Sequence, residues 1–135
     1  MIAVDSSVLL DVLTGDPDYA GASETCIADA LASDDVVVCE AVLAEVQSML
    51  DTPGNVMDTL TQLGIRYDPV GEAAAMRAGH MHKRLPARGG RRGRVVADFL
   101  VGAHALLQCD ALISRDAAFF RDFFKGLKVI QPATP

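Results

Sequence analysis

Five short runs rich in β-branched and aromatic residues punctuate this chain: Ile2 to Val4, Val36 to Val38, Ile65 to Tyr67, Ala111 to Ile113 and Lys128 to Ile130. Each is too short to be a buried helix, and the stretches between them can hold one or more. Strands that alternate with helices imply parallel pairing, because parallel neighbours need a long crossover connection. The crossover helices then cover both faces of the sheet. The chain is therefore expected to be an α/β protein with three layers, α/β/α, around a central, mainly parallel five-stranded sheet. Its 135 residues make one domain, 1–135, long enough to bury about two-thirds of the unfolded surface. No repeat, low-complexity tract or dividing linker interrupts it.

The first helix expected between the strands is capped by Ser6 or Ser7 and runs to about Leu13; the others run from Pro17 to about Ala32, 41–50, Pro53 to near Gly64, 71–84, Val95 to Gln108, and Asp116 to Phe123. Val42, Val46 and Met49 fall at helical spacing. Pro17 and Pro53 suit first-turn positions, where a missing N–H costs nothing. Pro86 to Gly93 is expected to be a loop, since its glycines neither hold a helix nor pack a core.

Several function classes drop out early. The longest run without a charged residue is Phe99 to Cys109, 11 residues, and a spanning helix needs about 20. The start, Met-Ile-Ala-Val-Asp, lacks the basic region and cleavage site of a signal peptide. The expectation is a soluble, cytoplasmic protein without membrane association. Cys26, Cys39 and Cys109 are too few and too scattered for a disulfide framework or a structural zinc site, and are expected to be packed thiols.

Charge is divided unevenly. Residues 1–72 hold 14 acids and one base, whereas residues 73–135 hold 4 acids and 11 bases. Six bases, Lys83, Arg84, Arg88, Arg91, Arg92 and Arg94, follow one another with no acid between. Such a run is either a solvated face or a phosphate-backbone contact. The net charge of −6 argues against an architectural nucleic-acid binder, but leaves room for an enzyme with one basic loop.

In open parallel sheets, ligands sit at the carboxyl ends of the strands, near a switch in strand order. Asp5 follows the first strand there, and Asp116 follows the fourth. Asp98 stands in the first turn of the helix at 95–108, where the helix dipole favours a carboxylate. Glu45 lies about one turn into the helix after the second strand. Four carboxylates from four segments can meet at one edge, and hard divalent cations offset their repulsion. Each also has a plainer reading: Asp5 and Asp98 as caps, Asp116 as a turn residue, Glu45 as a solvated helical glutamate.

The same residues resemble a known family. Asp5-Ser6-Ser7-Val8-Leu9-Leu10-Asp11 is similar to the opening of PIN-domain proteins, specifically VapC-type toxins of bacterial toxin–antitoxin pairs. Leu43-Ala44-Glu45-Val46, the stretch Ala97-Asp98-Phe99 to His104-Ala105, and Leu112-Ile113-Ser114-Arg115-Asp116 with Phe119-Phe120 resemble the second, third and fourth acidic motifs. The ending Phe124 to Ile130, with Pro132, resembles the last strand.

The resemblance implies a single PIN domain and a ribonuclease that uses Mg²⁺ or Mn²⁺. It carries Asp5, Glu45, Asp98 and Asp116 over as the catalytic acids, with Asp5 and Asp98 as metal ligands and Ser7 as a nearby hydroxyl. Glu40 is a second glutamate beside the second motif and competes with Glu45 for that role. Arg115 either touches the scissile region or pairs with a carboxylate, and the bases from Lys83 to Arg94 would hold RNA. His104 is expected to be a histidine packed on a helix. The resemblance further implies a toxin that hydrolyses RNA and inhibits translation and growth, a homodimer, and a cognate VapB-type antitoxin. The alternatives are a housekeeping RNA-processing nuclease, a degenerate PIN module for protein contacts, and a haloacid-dehalogenase-like phosphatase. The last wants a second acid where Ser7 stands.

Overall fold

The structure, a computed structural model, describes residues 1–85 and 95–135. The expected loop from Pro86 to Gly93 lies outside the described residues. Five strands, β1 (Ile2–Val4), β2 (Val36–Val38), β3 (Ile65–Tyr67), β4 (Ala111–Ile113) and β5 (Val129–Ile130), form one sheet in the order β3-β2-β1-β4-β5. Every pairing is parallel. The sheet is thus parallel throughout, where the sequence reading allowed an exception.

Among the described residues seven helices connect the strands: α1 (Ser6–Thr14), α2 (Ala20–Ser33), α3 (Glu40–Met49), α4 (Val56–Gln62), α5 (Glu72–Lys83), α6 (Val96–Gln108) and α7 (Ala117–Phe123). β1, β2 and β4 are buried along their whole length. They are accordingly unbroken apolar runs, as parallel strands covered on both faces must be. β3 and β5 are the edges. Arg66 and Tyr67 are exposed on β3, and β5 is half-buried.

The chain steps outward from β1 through β2 and β3, then returns to the other flank as β4 and β5. The strand order therefore switches between β1 and β4. Their register pairs Val4 with Ile113, and the Asp5 N–H donates to the Ile113 carbonyl (2.9 Å). The residues that follow both strands are held side by side at the carboxyl edge of the sheet.

On the far side of β4, Phe99 meets Phe119, Phe123 and Phe124 with ring centroids 5.4, 5.8 and 6.2 Å apart. Gly102 lets Phe124 come this close to α6, since a Cβ there would lie 2.2 Å from the Phe124 ring.

Three helix starts differ from the sequence reading. α1 is capped not by Ser6 or Ser7 but by Asp5, the plainer reading of that acid: the Asp5 carboxylate accepts from the Ser6 N–H. Pro17 stays outside α2, because Asp16 Oδ1 accepts from the N–H groups of Asp18 and Tyr19, both at 2.9 Å, closing a turn first. Pro53 likewise stays outside α4. Gln47 reaches across from α3, its Oε1 accepting from the Val56 N–H (2.8 Å) and its Nε2 donating to the Gly54 carbonyl (3.1 Å). That tertiary contact sets the start of α4.

Candidate active site

Asp5 stands at the switch point, where β1 ends and α1 begins. Its residue is 8% exposed. Oδ1 accepts from the Ser6 N–H (2.9 Å), and Oδ2 accepts from the hydroxyls of Ser114 (2.7 Å) and Ser7 (3.1 Å). Burial pushes the Asp5 carboxyl above its usual range, and the negative charge of Glu45 pushes the same way. The three donors pull it down without offsetting the burial.

Two serines connect Asp5 to other acids. Ser6 donates its N–H to Asp5 and its Oγ to Glu45 Oε1. Ser114 donates its Oγ to Asp5 and accepts, on the same oxygen, the Asp116 N–H (2.9 Å). Glu45 is therefore brought to Asp5 from α3, and Asp116 is held at the start of α7. Asp98 lies in the first turn of α6 and accepts from the Val95 N–H (3.2 Å). Because α6 leads into β4, that first turn belongs to the carboxyl edge of the sheet, the same edge as Asp5.

Glu40 stands apart from this group. Its Oε1 accepts from the Val70 N–H (2.8 Å), tying the start of α3 to the connection after β3. Arg115 resolves its two readings in favour of a carboxylate. Its Nε and Nη2 donate to Asp11 Oδ2 and Oδ1, each at 2.7 Å. Asp11 is 3% exposed and also accepts from Ser23 (2.9 Å). The Arg115 guanidinium lies 4.1 Å from the centre of the Tyr19 ring. The Arg115 N–H meets Ser7 Oγ (3.3 Å), so the turn carrying Ser114 and Asp116 is fastened to α1 at two points. Lys83 and Arg84 are exposed at the end of α5. Arg88, Arg91, Arg92 and Arg94 lie outside the described residues.

Ser6, Ser114 and Asp11 were not among the candidates from sequence. The signal for the two serines was the hydroxyls flanking the acids in Asp5-Ser6-Ser7 and Ser114-Arg115-Asp116. For Asp11 it was a lone acid four residues after Ser7, on the same helical face.

Among the described residues, three or more carboxylate, imidazole or thiol donor atoms lie within 4.8 Å of one another in one place only, away from Asp5, Glu45, Asp98 and Asp116, which are not drawn together that closely. That place is formed by Asp68, His104 and Cys109. These donors are turned on each other. Asp68 Oδ2 lies 2.8 Å from His104 Nε2 and accepts from Gln108 Nε2 (3.2 Å). Burial pushes the Cys109 thiol up to about 12, with the Asp68 charge adding to it. The group fastens the exit of β3 to α6, and His104, 1% exposed, is the packed histidine expected from sequence. Cys39 is buried, Cys26 and Cys109 are half-buried, and all three are free thiols.

An acidic set with oxygen donors alone suits Mg²⁺ or Mn²⁺ better than softer metals. The buried Asp5 carboxyl, pushed above its usual range by burial and by the charge of Glu45, is the kind of group that a divalent cation stabilises in its charged form.

The PIN domain family model matches residues 2–123. Among curated proteins none matches. Solved structures share the fold at low identity. VapBC2 from Rickettsia felis, bound to a DNA fragment from their promoter, is 16% identical with a TM-score of 0.75, over 98% of this chain and 100% of that one. VapBC-1 from nontypeable Haemophilus influenzae is 18% identical with a TM-score of 0.68, over 97% and 98%. VapC20 from Mycobacterium tuberculosis, a Sarcin-Ricin loop cleaving toxin, is 17% identical with a TM-score of 0.58, over 83% and 87%.

Proposed function

The chain belongs to the PIN domain family, and from that premise we propose that it is a divalent-metal-dependent endoribonuclease, the toxin of a VapBC-type pair. The observation that carries this reading is the setting of Asp5. It is a buried carboxyl at the switch point of a parallel sheet, joined through Ser6 to Glu45 and through Ser114 to Asp116. Supporting it, the similar folds come from VapBC complexes and from a toxin that cleaves the Sarcin-Ricin loop.

In this reading Asp5 and Asp98 would hold Mg²⁺ or Mn²⁺, with Glu45 and Asp116 completing the acidic set. The cation supplies the Lewis acidity that phosphodiester hydrolysis needs at neutral pH. The chain supplies position. Ser7 and Ser114 fix the Asp5 carboxylate, Ser6 holds Glu45 against it, and the Arg115–Asp11 pair keeps the β4–α7 turn in register. Ser7 is thus a positioning hydroxyl in this reading, and no serine or histidine nucleophile is required. Lys83 and Arg84, with the bases that follow, would meet the phosphate backbone.

The biological role that follows is RNA cleavage that stops translation and growth, restrained by a cognate VapB-type antitoxin. A homodimer acting in the cytoplasm completes the proposal. Among the described residues no helix is long and apolar enough to cross a membrane. The test is sequencing of RNA ends after induced expression of the chain and of Asp5→Asn. Discrete new ends with the natural chain, absent with Asp5→Asn, are expected. Identical ends from both would defeat the nuclease reading.

A further inference from the structure

A second feature of the surface lies on the flank formed by α5, α6 and the end of α7. There a groove of about 530 Å³ is lined by Arg77, His80 and Arg84 on one side and Lys125 on the other. Its floor includes Leu106 and Phe124. Arg77, His80 and Arg84 are spaced three and four residues apart, so they form one stripe along α5. All four basic side chains are exposed. Among the described residues none of them makes an ion pair or a side-chain hydrogen bond, in a chain whose net charge is −6. One acid, Asp122, lies among them.

One end of the stripe lies beside the helix that carries Asp98. His82, near the end of α5, packs edge-on against Phe99 with ring centroids 5.8 Å apart, and Phe99 directly follows Asp98. The end of α5 that carries Arg84 is thus anchored beside the first turn of α6. From there the stripe runs back along α5 for seven residues to Arg77, about 10 Å at the helical rise.

Resting on the ribonuclease reading above, we propose that this groove holds the sugar-phosphate backbone of the RNA strand flanking the cleavage site. Arg77, Arg84 and Lys125 act as phosphate contacts beyond the acidic edge. A polyanion is favoured because Arg77 and Arg84 stand in line along α5, with Lys125 facing them across the groove, and the Arg84 end of that line is tied through His82 and Phe99 beside the first turn of α6. Unpaired cations in a line match a chain of phosphates, whose binding releases counterions.

The test uses the full chain carrying Asp5→Asn, so that RNA is bound and not cut, with a mixed-sequence single-stranded RNA oligonucleotide as the probe. Binding is followed by fluorescence anisotropy against salt concentration. Adding Arg77→Gln and Lys125→Gln is expected to weaken binding and make the slope of log K against log salt shallower by about 1.4, since each single-strand phosphate contact accounts for about 0.7. Lys128→Gln, an exposed cation away from the groove, is expected to leave the slope unchanged. An unchanged slope in the double variant, or an equal loss with Lys128→Gln, overturns the groove. So does a double variant that binds RNA normally and loses only its affinity for an acidic partner protein. Cleavage by the chain with natural Asp5 is measured in parallel. Cleavage that persists at the natural rate in the double variant, with an unchanged slope, defeats the groove alone. Absence of cleavage by the natural chain with the slope effect intact defeats the ribonuclease reading alone.

Discussion

Arg115 and Asp11 face each other through two parallel hydrogen bonds of 2.7 Å, linking the turn after β4 to the middle of α1. The carboxylate is 3% exposed, so the guanidinium is the counter-charge that makes its burial tolerable. Arg115→Ala leaves that carboxylate buried and unmatched, with Ser23 as its remaining side-chain donor. Removing one partner of a buried pair typically costs about 3 kcal/mol or more, and urea denaturation of the variant should show a loss of that size. Arg115→Lys keeps the charge but not the two-pronged geometry, and should fall between the two.

Glu45 and Glu40 can be separated by substitution. Glu45 accepts from Ser6 and acts electrostatically on Asp5. Glu40 accepts from the Val70 N–H instead. Glu45→Gln is expected to lower RNA cleavage by about 100-fold or more, the scale on which positioned acid–base and electrostatic groups act. Glu40→Gln should leave cleavage within a few-fold, because the amide oxygen still accepts from Val70. Comparable losses in both variants, measured as initial cleavage rates in Mn²⁺, would contradict the assignment.

Asp5 should give the folded state a characteristic pH dependence. Its carboxyl is raised by burial, so the folded chain holds this proton more tightly than the unfolded chain does. From about pH 3.9, the ordinary carboxylate value, up to the raised folded value, the folded state binds more protons. Stability attributable to Asp5 therefore falls as pH rises through that window, and the penalty persists above it. In chelator, Asp5→Asn should remove this fall and melt at or above the temperature of the natural chain at neutral pH. Added Mn²⁺ should raise the melting temperature of the natural chain more than that of the variant. A variant that melts lower in chelator and gains equally from Mn²⁺ would contradict the metal assignment.

Gly102 tests the packing behind the site. A methyl there would stand 2.2 Å from the Phe124 ring, which is 1% exposed and packed against Phe99 and Phe120. Gly102→Ala is expected to destabilise the fold by about 1–3 kcal/mol, the usual scale of overpacking. This loss outweighs the gain in helix propensity from alanine, about 1 kcal/mol. Thermal melting followed by circular dichroism is the measurement.

The sequence by itself determined the layers and the edge. Three runs, at 2–4, 36–38 and 111–113, are apolar at every position, because a parallel strand covered on both faces has no solvent side to mark. That pattern required crossover helices, and it set Asp5 and Asp116 after strands that share a carboxyl edge. The acids were legible because they end apolar runs, where burial alone gives no reason for a charge. Tertiary structure decided which partners they keep. Glu40 and Glu45 lie five residues apart on one helix, and only the packing of α3 against α1 hands Glu45 to Ser6, while the connection after β3 takes Glu40 through Val70. Pro17 and Pro53 signalled helix starts that Asp16 and Gln47 then moved. The Arg115–Asp11 pair spans 104 positions and has no local signature. Periodicity and propensity act between near neighbours along the chain, whereas hydrogen bonds between distant segments form only after the sheet has brought them together.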